Sequence, residues 1–85
     1  MSVFEQAQKD VHTLNSKPGS SDLLVLYAHF KQATEGDAKG ERPGVLNVVA
    51  RLKYDAWSAL GKMSKVDAEA AYVAKVNELL RADGK

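Results

Sequence analysis

The sequence of 85 residues contains no cysteine and no long uninterrupted run of apolar residues. Without cysteine, disulfides, thiolate metal sites and thiol nucleophiles are all excluded. Small secreted domains usually depend on disulfides, so their absence favours a reducing compartment. A membrane-spanning helix needs about 18 or more apolar residues in succession, and we therefore expect no integral membrane segment. The first ten residues, MSVFEQAQKD, also lack the basic start and apolar stretch of a secretory signal, so we expect a cytoplasmic protein.

An excess of one charge is also missing. The chain has 12 Lys and Arg residues against 11 Asp and Glu residues, a formal net charge of +1. Nucleic-acid-binding domains usually carry a marked basic excess or a basic stripe, so we expect no nucleic-acid partner. The interspersed charges and the apolar fraction of 45% are typical of a folded domain. The length predicts one domain over residues 1–85.

Capping residues and apolar spacing predict four helices. Ser2 with Glu5 and Ser64 with Asp67 have the spacing of a capping box, and Ser20 or Ser21 can cap the second helix. No strand-like alternation is present, so the predicted class is all-α, and a bundle is the natural arrangement of four short helices. The predicted helices run from about Val3 to Asn15, from Asp22 to Thr34, from Val48 to Leu60, and onward from Ser64.

Each predicted helix has an apolar face at helical spacing. The connection between the second and third helices, from Gly36 to Asn47, is longer than usual, and such loops are often functional. We expect Val45 and Leu46 to attach it to the body of the protein. The predicted faces are Phe4, Ala7, Val11 and Leu14; Leu23, Leu26, Phe30 and Ala33; Val49, Leu52, Ala56 and Leu60; and Tyr72, Val76, Leu79 and Leu80.

A second stripe on the second helix is displaced from its core face. Leu24, Tyr27 and Lys31 follow the spacing i, i+3, i+7, which suits an amphipathic ligand with an anionic end. Lys53 lies near the apolar edge of the third helix, where an ammonium either extends to solvent or meets a phosphate. By spacing alone, the ordinary interpretation is favoured, in which Tyr27 is a half-buried core residue and Lys31 is exposed to solvent. Tyr72 fits either ring stacking or the core.

Catalytic and metal motifs are poor. His12 and His29 are the only histidines, lie on different predicted helices, and belong to no recognisable nucleophile or metal motif. Phosphate-binding loops rich in glycine are also absent. We therefore expect no enzyme, no metal and no cofactor.

Three sequence blocks resemble the acyl-CoA-binding protein family. They are YAHFKQATEGDAKGERPG from Tyr27 to Gly44, LKYDAW from Leu52 to Trp57, and AYVAKVNELL from Ala71 to Leu80. Their order and spacing cover nearly the whole chain. The resemblance implies a four-helix, up-down-down-up skewed bundle with a shallow open bowl for one acyl-CoA.

The resemblance also implies the binding residues. The family's ligand contacts fall on Tyr27, Ala28, Lys31, Lys53 and Tyr72, and more peripherally on His12, Leu24, His29, Phe30 and Val49. Three positions depart from the family pattern. His12 and Val49 stand where lysine is frequent, and Tyr54 stands where tryptophan is common.

The implied function is that of a monomeric, non-catalytic carrier of long-chain fatty acyl-CoA. Its expected partners are acyl-CoA esters and the enzymes of lipid metabolism that use them. Two alternatives are a helical protein-interaction module that uses the long loop, and a thioesterase acting on the same ligand. The missing cysteine and the lack of a nucleophile–base pair argue against the thioesterase.

Overall fold

The computed structural model describes residues 2–84, and within that range it contains helices and no strand. The four α-helices are α1 (Val3–Asp10), α2 (Ser20–Glu35), α3 (Val48–Ser58) and α4 (Lys65–Ala82). The predicted all-α class is therefore confirmed. A turn of 3-10 helix, Val11–Thr13, follows α1 directly. No helix within residues 2–84 is both long enough and apolar enough to cross a membrane.

Two helices begin at the serine caps that the sequence predicts. The Glu5 N–H donates to Ser2 Oγ at 3.0 Å, and the Ser2 N–H donates to Glu5 Oε1 at 3.2 Å, which completes a capping box. At the start of α4, the Asp67 N–H donates to Ser64 Oγ at 3.0 Å. Each such cap stabilises its helix by about 1 kcal/mol.

The prediction for the start of α2 is wrong. Gly19 is the N-cap and forms no side-chain cap hydrogen bond, so Ser20 and Ser21 already lie inside the helix. The end of α2 is as predicted, because the N–H of Gly36 donates to the Gln32 carbonyl oxygen at 3.1 Å. Gly36 has φ +82° and ψ −151°, a conformation that residues with a Cβ rarely adopt.

α4 packs against both α1 and α2. α1 and α4 run in the same direction, because Phe4 contacts Tyr72 and the Asn15 N–H donates to Asp83 Oδ2 at 2.8 Å. The rings of Phe4 and Tyr72 meet edge to face with centroids 5.2 Å apart, an arrangement worth about 0.5–1.5 kcal/mol beyond its buried area.

α2 runs antiparallel to α4. Asp22, near the start of α2, pairs with Lys75 at 2.7 Å. Gln32, near its end, donates from Nε2 to the Met63 carbonyl oxygen at 2.8 Å, just before α4 begins. Gln32 is fully buried and its amide also donates to Asp37 Oδ1 at 2.8 Å. Because Asp37 Oδ1 also accepts the Lys62 N–H at 2.7 Å, one carboxylate joins the segments that follow α2 and α3.

The core is built almost entirely from α1, α2 and α4. α3 packs on α2 alone among the helices, and Trp57 is its one buried residue. The predicted apolar face of α3 is therefore largely uncovered at its N-terminal end, where Val49 and Leu52 are 66% and 49% exposed. Leu23 on α2 is also more exposed than predicted. The buried core consists of Phe4, Ala7, Leu26, Ala33, Ala68, Tyr72 and Val76.

The long connection between α2 and α3 is held by polar contacts. Asp55 accepts two hydrogen bonds from the Arg42 guanidinium, at 2.8 and 2.7 Å, and the Tyr54 hydroxyl donates to the Gly40 carbonyl oxygen at 3.1 Å. The expectation that Val45 and Leu46 attach this segment is wrong, because they are 72% and 94% exposed.

Candidate functional site: a cation–aromatic cluster beside two apolar grooves

Two cations and two aromatic rings meet where α3 packs on α2. Lys53 Nζ lies 5.3 Å from the centroid of the Tyr27 ring, and Lys31 Nζ lies 4.9 Å from the centroid of the Trp57 ring. On each helix the two residues are four positions apart and so share one face. Both contacts keep the same order along the two helices, which means that α2 and α3 run parallel. Tyr27, Lys31, Lys53 and Trp57 are called the cation–aromatic cluster below.

The parallel pair completes the up-down-down-up arrangement and explains the long connection. Two antiparallel neighbours can be joined by a tight turn, whereas two parallel ones need a segment that returns along the helix. α2 has 16 residues and spans about 24 Å at 1.5 Å per residue. The returning chain, residues 36–47, passes along α3, where Asp55 and Tyr54 hold it.

Trp57 anchors this arrangement. Its side chain is only 6% exposed, and its indole Nε1–H donates to the Gly36 carbonyl oxygen at 2.8 Å. The same indole therefore fixes the C-terminal half of α3 against the end of α2 and offers a ring face to Lys31. A cation–aromatic contact of this kind contributes about 0.5–1 kcal/mol at exposed sites.

The two lysines of the cluster differ in their anionic partners. Lys31 is paired with Glu35, one turn further along α2, and the hydrogen bond that its ammonium donates to this carboxylate raises the pKa of Lys31. The same bond lowers the pKa of Glu35. Within residues 2–84, Lys53 forms no ion pair, so its ammonium faces solvent beside Tyr27 without a carboxylate. The cluster thus presents one free cation and one that shares its charge with a neighbour.

An apolar groove adjoins the cluster. It has a volume of about 190 Å³, lies between α2 and α3, and is called the α2–α3 groove. Leu23, Leu24, Val49 and Leu52 form its walls, and Lys53 stands at its edge together with Ser20. Clustered exposed apolar side chains on a small domain often mark a binding surface.

A second groove lies on the other side of Leu23. It has a volume of about 470 Å³ and is lined by Tyr72, Leu26, His12 and Lys17 among others; it is called the Tyr72 groove. Leu23 lines both grooves, so they adjoin across its side chain. Burial raises the pKa of the Tyr72 phenol, which is therefore a neutral group able to donate a hydrogen bond at physiological pH.

The structure brings together most, but not all, of the site residues predicted from the sequence. Leu24 and Val49 line the α2–α3 groove, and His12 lies exposed in the Tyr72 groove. Ala28 is only 3% exposed. His29 donates from Nδ1 to the Val25 carbonyl oxygen at 2.7 Å.

Phe30 occupies a different environment from the cluster. Its ring packs against the aromatic rings of Phe4 and Tyr72, with centroids 6.1 and 6.3 Å away. It therefore supports Tyr72 from within the core. The structure gives Phe30 a packing role behind the Tyr72 groove.

Three residues of the cluster and the grooves were not predicted as site residues, namely Trp57, Leu23 and Leu52. Trp57 follows Lys53 by four positions, just as Lys31 follows Tyr27, and this repeated spacing is the signal that indicates a facing pair. Leu23 and Leu52 have no such signal, because apolar residues at helical spacing predict a buried helix face. Leu23 and Leu52 are accessible because no other helix within residues 2–84 packs on α3.

The arrangement does not resemble a metal centre. No group of three or more His, Cys, Asp or Glu side chains within residues 2–84 is placed to hold a metal ion. The chemistry available at the site is therefore ammonium, phenol and indole next to aliphatic surface. That combination is complementary to a ligand that is anionic at one end and aliphatic at the other.

Comparison with known proteins agrees with this description. The family model described as acyl-CoA-binding protein matches residues 1–76. An acyl-CoA-binding protein homolog of Manduca sexta is 48% identical over 82 residues, which are 95% of this chain and 91% of that protein. The acyl-CoA-binding protein of Saccharomyces cerevisiae is 45% identical over 78 residues, 92% of this chain and 90% of the yeast protein.

Solved structures show the same fold. The crystal structure of Oryza sativa acyl-CoA-binding protein 2 superposes with a TM-score of 0.91 at 39% identity, covering 96% of this chain and 91% of the rice chain. The crystal structure of the protein from Moniliophthora perniciosa gives a TM-score of 0.90 at 35% identity, covering 100% and 86% of the two chains. The family model, the sequence relatives and the solved structures all agree. This chain therefore belongs to the acyl-CoA-binding protein family.

Proposed function

We propose that this protein binds one long-chain fatty acyl-CoA ester and carries it in the cell as a soluble, non-catalytic buffer. The observation that carries the proposal is the cation–aromatic cluster at the edge of the apolar α2–α3 groove. An acyl-CoA has a phosphorylated nucleotide at one end and an aliphatic chain at the other. The site offers a surface of matching chemistry for each end.

The cluster is the proposed site of the ribose 3′-phosphate. Lys31 and Lys53 supply two ammonium groups, and the Tyr27 hydroxyl supplies a neutral donor on the same face of α2. A hydrogen bond to a charged group contributes about 1.5–3 kcal/mol. Two lysines therefore give a phosphate-bearing ligand a large advantage over a free fatty acid.

The grooves are the proposed site of the rest of the ligand. The acyl chain lies along apolar surface such as Leu24, Leu52 and Val49, and the adenine or its ribose packs near Tyr72. Burying one methylene contributes roughly 0.8 kcal/mol. Affinity accordingly rises with chain length until the groove is filled.

The departures from the family pattern alter the periphery of this site. His12 places an imidazole in the Tyr72 groove at a position where lysine is frequent in the family. Val49 adds apolar wall to the α2–α3 groove where a lysine would add charge. Both changes leave Tyr27, Lys31 and Lys53 in place, so the phosphate site of the proposal is retained.

The available side chains support carriage without catalysis. With no cysteine in the chain, a thiol nucleophile is excluded. A monomeric cytoplasmic carrier would keep free acyl-CoA low, shield the thioester, and deliver it to the enzymes of lipid metabolism that consume it. Incubation with palmitoyl-CoA and measurement of free thiol tests this part of the proposal, and release of coenzyme A at a rate above the protein-free control would contradict it.

The decisive experiment is a calorimetric titration of delipidated protein with palmitoyl-CoA, palmitate and free coenzyme A. We expect tight one-to-one binding of the ester and much weaker binding of the two controls, because each control lacks one end of the ligand. Circular dichroism of the same sample establishes that it is folded. A folded protein that binds palmitate as tightly as the ester would rule out the phosphate site.

A further inference from the structure

An exposed apolar surface at the start of α3 is not explained by ligand binding alone. Val45, Leu46, Val48 and Val49 are 72%, 94%, 60% and 66% exposed, and together they are called the apolar tip. Leu46, Val48 and Val49 line one surface depression of about 570 Å³. Because α3 packs only on α2 among the helices of residues 2–84, no other helix in that range covers this tip.

The sequence around the apolar tip has an excess of positive charge. From residue 42 to residue 54 the sequence contains three cations and no carboxylate. Arg42 is paired with Asp55, whereas Arg51 and Lys53 form no ion pair within residues 2–84. Asp55 is paired with Arg42 and also lies within electrostatic range of Arg51. One carboxylate against three cations leaves an excess of positive charge beside the tip.

The cations lie one turn behind the apolar side chains. Arg51 follows Val48 by three positions, and Lys53 follows Val49 by four, so each cation shares a helix face with an exposed valine. Side chains on a helix lean toward its N-terminus, which brings both cations toward the tip. The result is an aliphatic end of α3 with positively charged side chains about one helical turn, 5.4 Å, behind it.

We propose that the apolar tip docks on the surface of an anionic phospholipid bilayer. Aliphatic side chains enter the boundary between headgroups and acyl chains, where interfacial helices bury their apolar face to a depth of about 5–10 Å. Arg51 and Lys53 then lie at the level of the anionic headgroups, which attract basic residues near the membrane surface. Association of two copies through this face is disfavoured, because it would bring Arg51 and Lys53 of one copy close to the same cations of the other.

The location of the tip gives this docking a role that goes beyond carriage. Val49 and Lys53 line both the tip depression and the α2–α3 groove, so the two surfaces are continuous. A docked protein would open its groove directly onto the bilayer. This role in collecting or releasing a chain rests on the proposed function, whereas docking itself needs no ligand.

The test is flotation of ligand-free protein with vesicles of phosphatidylcholine, or of phosphatidylcholine and phosphatidylserine in equal amounts. We expect the protein to float with the anionic vesicles, much less with the neutral ones, and less at 1 M salt, where the screening length falls to about 3 Å. Leu46→Asp should lower the bound fraction at least about tenfold, because a charged group replaces the most exposed aliphatic side chain. Val66→Asp is the matched control, since Val66 is 76% exposed at the start of α4, away from the tip, and binding should be unchanged.

Palmitoyl-CoA titration of the same two variants separates docking from carriage. Leu46 lines neither of the two ligand grooves, so Leu46→Asp should keep the solution affinity for palmitoyl-CoA. Vesicle binding that persists in Leu46→Asp, or that is equal on neutral and anionic vesicles, would overturn the docking proposal. Sedimentation that shows a wild-type dimer lost in Leu46→Asp would assign the tip to a second copy and would overturn it too. Vesicle binding without any palmitoyl-CoA affinity would contradict the carrier function alone.

Discussion

The ammonium of Lys53 lies over the ring of Tyr27, 5.3 Å from its centroid, although the two residues are on different helices. The contact links the free cation of α3 to the aromatic residue of α2 that faces it. Because both residues reach solvent beside an apolar groove, the pair can accept an anion without rearrangement of the helices. Pre-organisation of this kind lowers the cost of binding.

Removal of either lysine of the cation–aromatic cluster should weaken ligand binding. We expect Lys53→Ala and Lys31→Ala each to reduce palmitoyl-CoA affinity about 10- to 100-fold, the loss of one charge-assisted interaction of about 1.5–3 kcal/mol. Lys9→Ala, on the exposed surface of α1, is the matched control and should bind as the wild type does. Calorimetry measures all three. Wild-type affinity in both cluster variants would exclude the phosphate site.

Glu35 should oppose ligand binding. Its carboxylate is bound to the Lys31 ammonium and would stand next to the ligand phosphate. We expect Glu35→Gln to strengthen palmitoyl-CoA binding several-fold, because it removes a competing anion while keeping the side-chain shape. The gain should shrink at high salt. A weaker affinity in Glu35→Gln would mean that the Lys31–Glu35 pair orients the lysine for its ligand.

The α2–α3 groove should determine how affinity depends on chain length. Leu52 is 49% exposed on the groove wall, so its replacement by Asn costs the fold little. We expect Leu52→Asn to flatten the rise in affinity from octanoyl-CoA to palmitoyl-CoA, since each buried methylene is worth roughly 0.8 kcal/mol in an apolar groove. Affinity for free coenzyme A should stay the same. An unchanged chain-length series would place the acyl chain elsewhere.

The backbone conformation of Gly36 should make glycine at this position necessary for full stability of the fold. With φ +82° and ψ −151°, a Cβ at this position is strained even though its nearest neighbour, the Lys65 side chain, is 3.7 Å away. We expect Gly36→Ala to lower the free energy of unfolding by about 1–3 kcal/mol. Gly44→Ala is the control, because no atom lies within 4 Å of its added Cβ and its φ is not positive. Urea denaturation followed by circular dichroism compares the two variants.

Asp37 should make the fold sensitive to acid. Its hydrogen bond from Gln32, together with the one from the Lys62 N–H, lowers its pKa below the ordinary value of 3.8. A lowered native pKa adds stability that is present above pH 3.8 and is lost as the pH falls through the native pKa.

The matched variant for this effect is Asp37→Asn. We expect it to be less stable than the wild type at neutral pH, with a smaller decline of the unfolding free energy between about pH 5 and pH 2. Urea titrations at a series of pH values measure the difference. An equal acid-induced decline in both proteins would assign the sensitivity to other carboxylates, such as Asp55, whose pKa the Arg42 guanidinium lowers.

Local features of the sequence were sufficient to predict the four helices and two of their N-caps, whereas the predicted cap of α2 was wrong. Ser2 with Glu5 and Ser64 with Asp67 form the predicted hydrogen bonds, because a cap depends only on residues within one turn. The end of α2 at Gly36 was likewise predictable from the conformational freedom of glycine. The stripe of Leu24, Tyr27 and Lys31 was visible as well, since helical spacing alone places these residues on one side of α2.

The tertiary structure alone decided which apolar residues are buried and which cations meet. Periodicity gives the direction in which a side chain points, but not whether another helix lies there. Leu26 is therefore buried under α4, whereas Leu52 and Val49, with equally regular spacing, face solvent because no helix covers that side of α3. For the same reason Lys53 could be read from the sequence as a solvated side chain. Its position over Tyr27 follows from the parallel packing of two helices that are separated along the chain by a twelve-residue connection, residues 36–47.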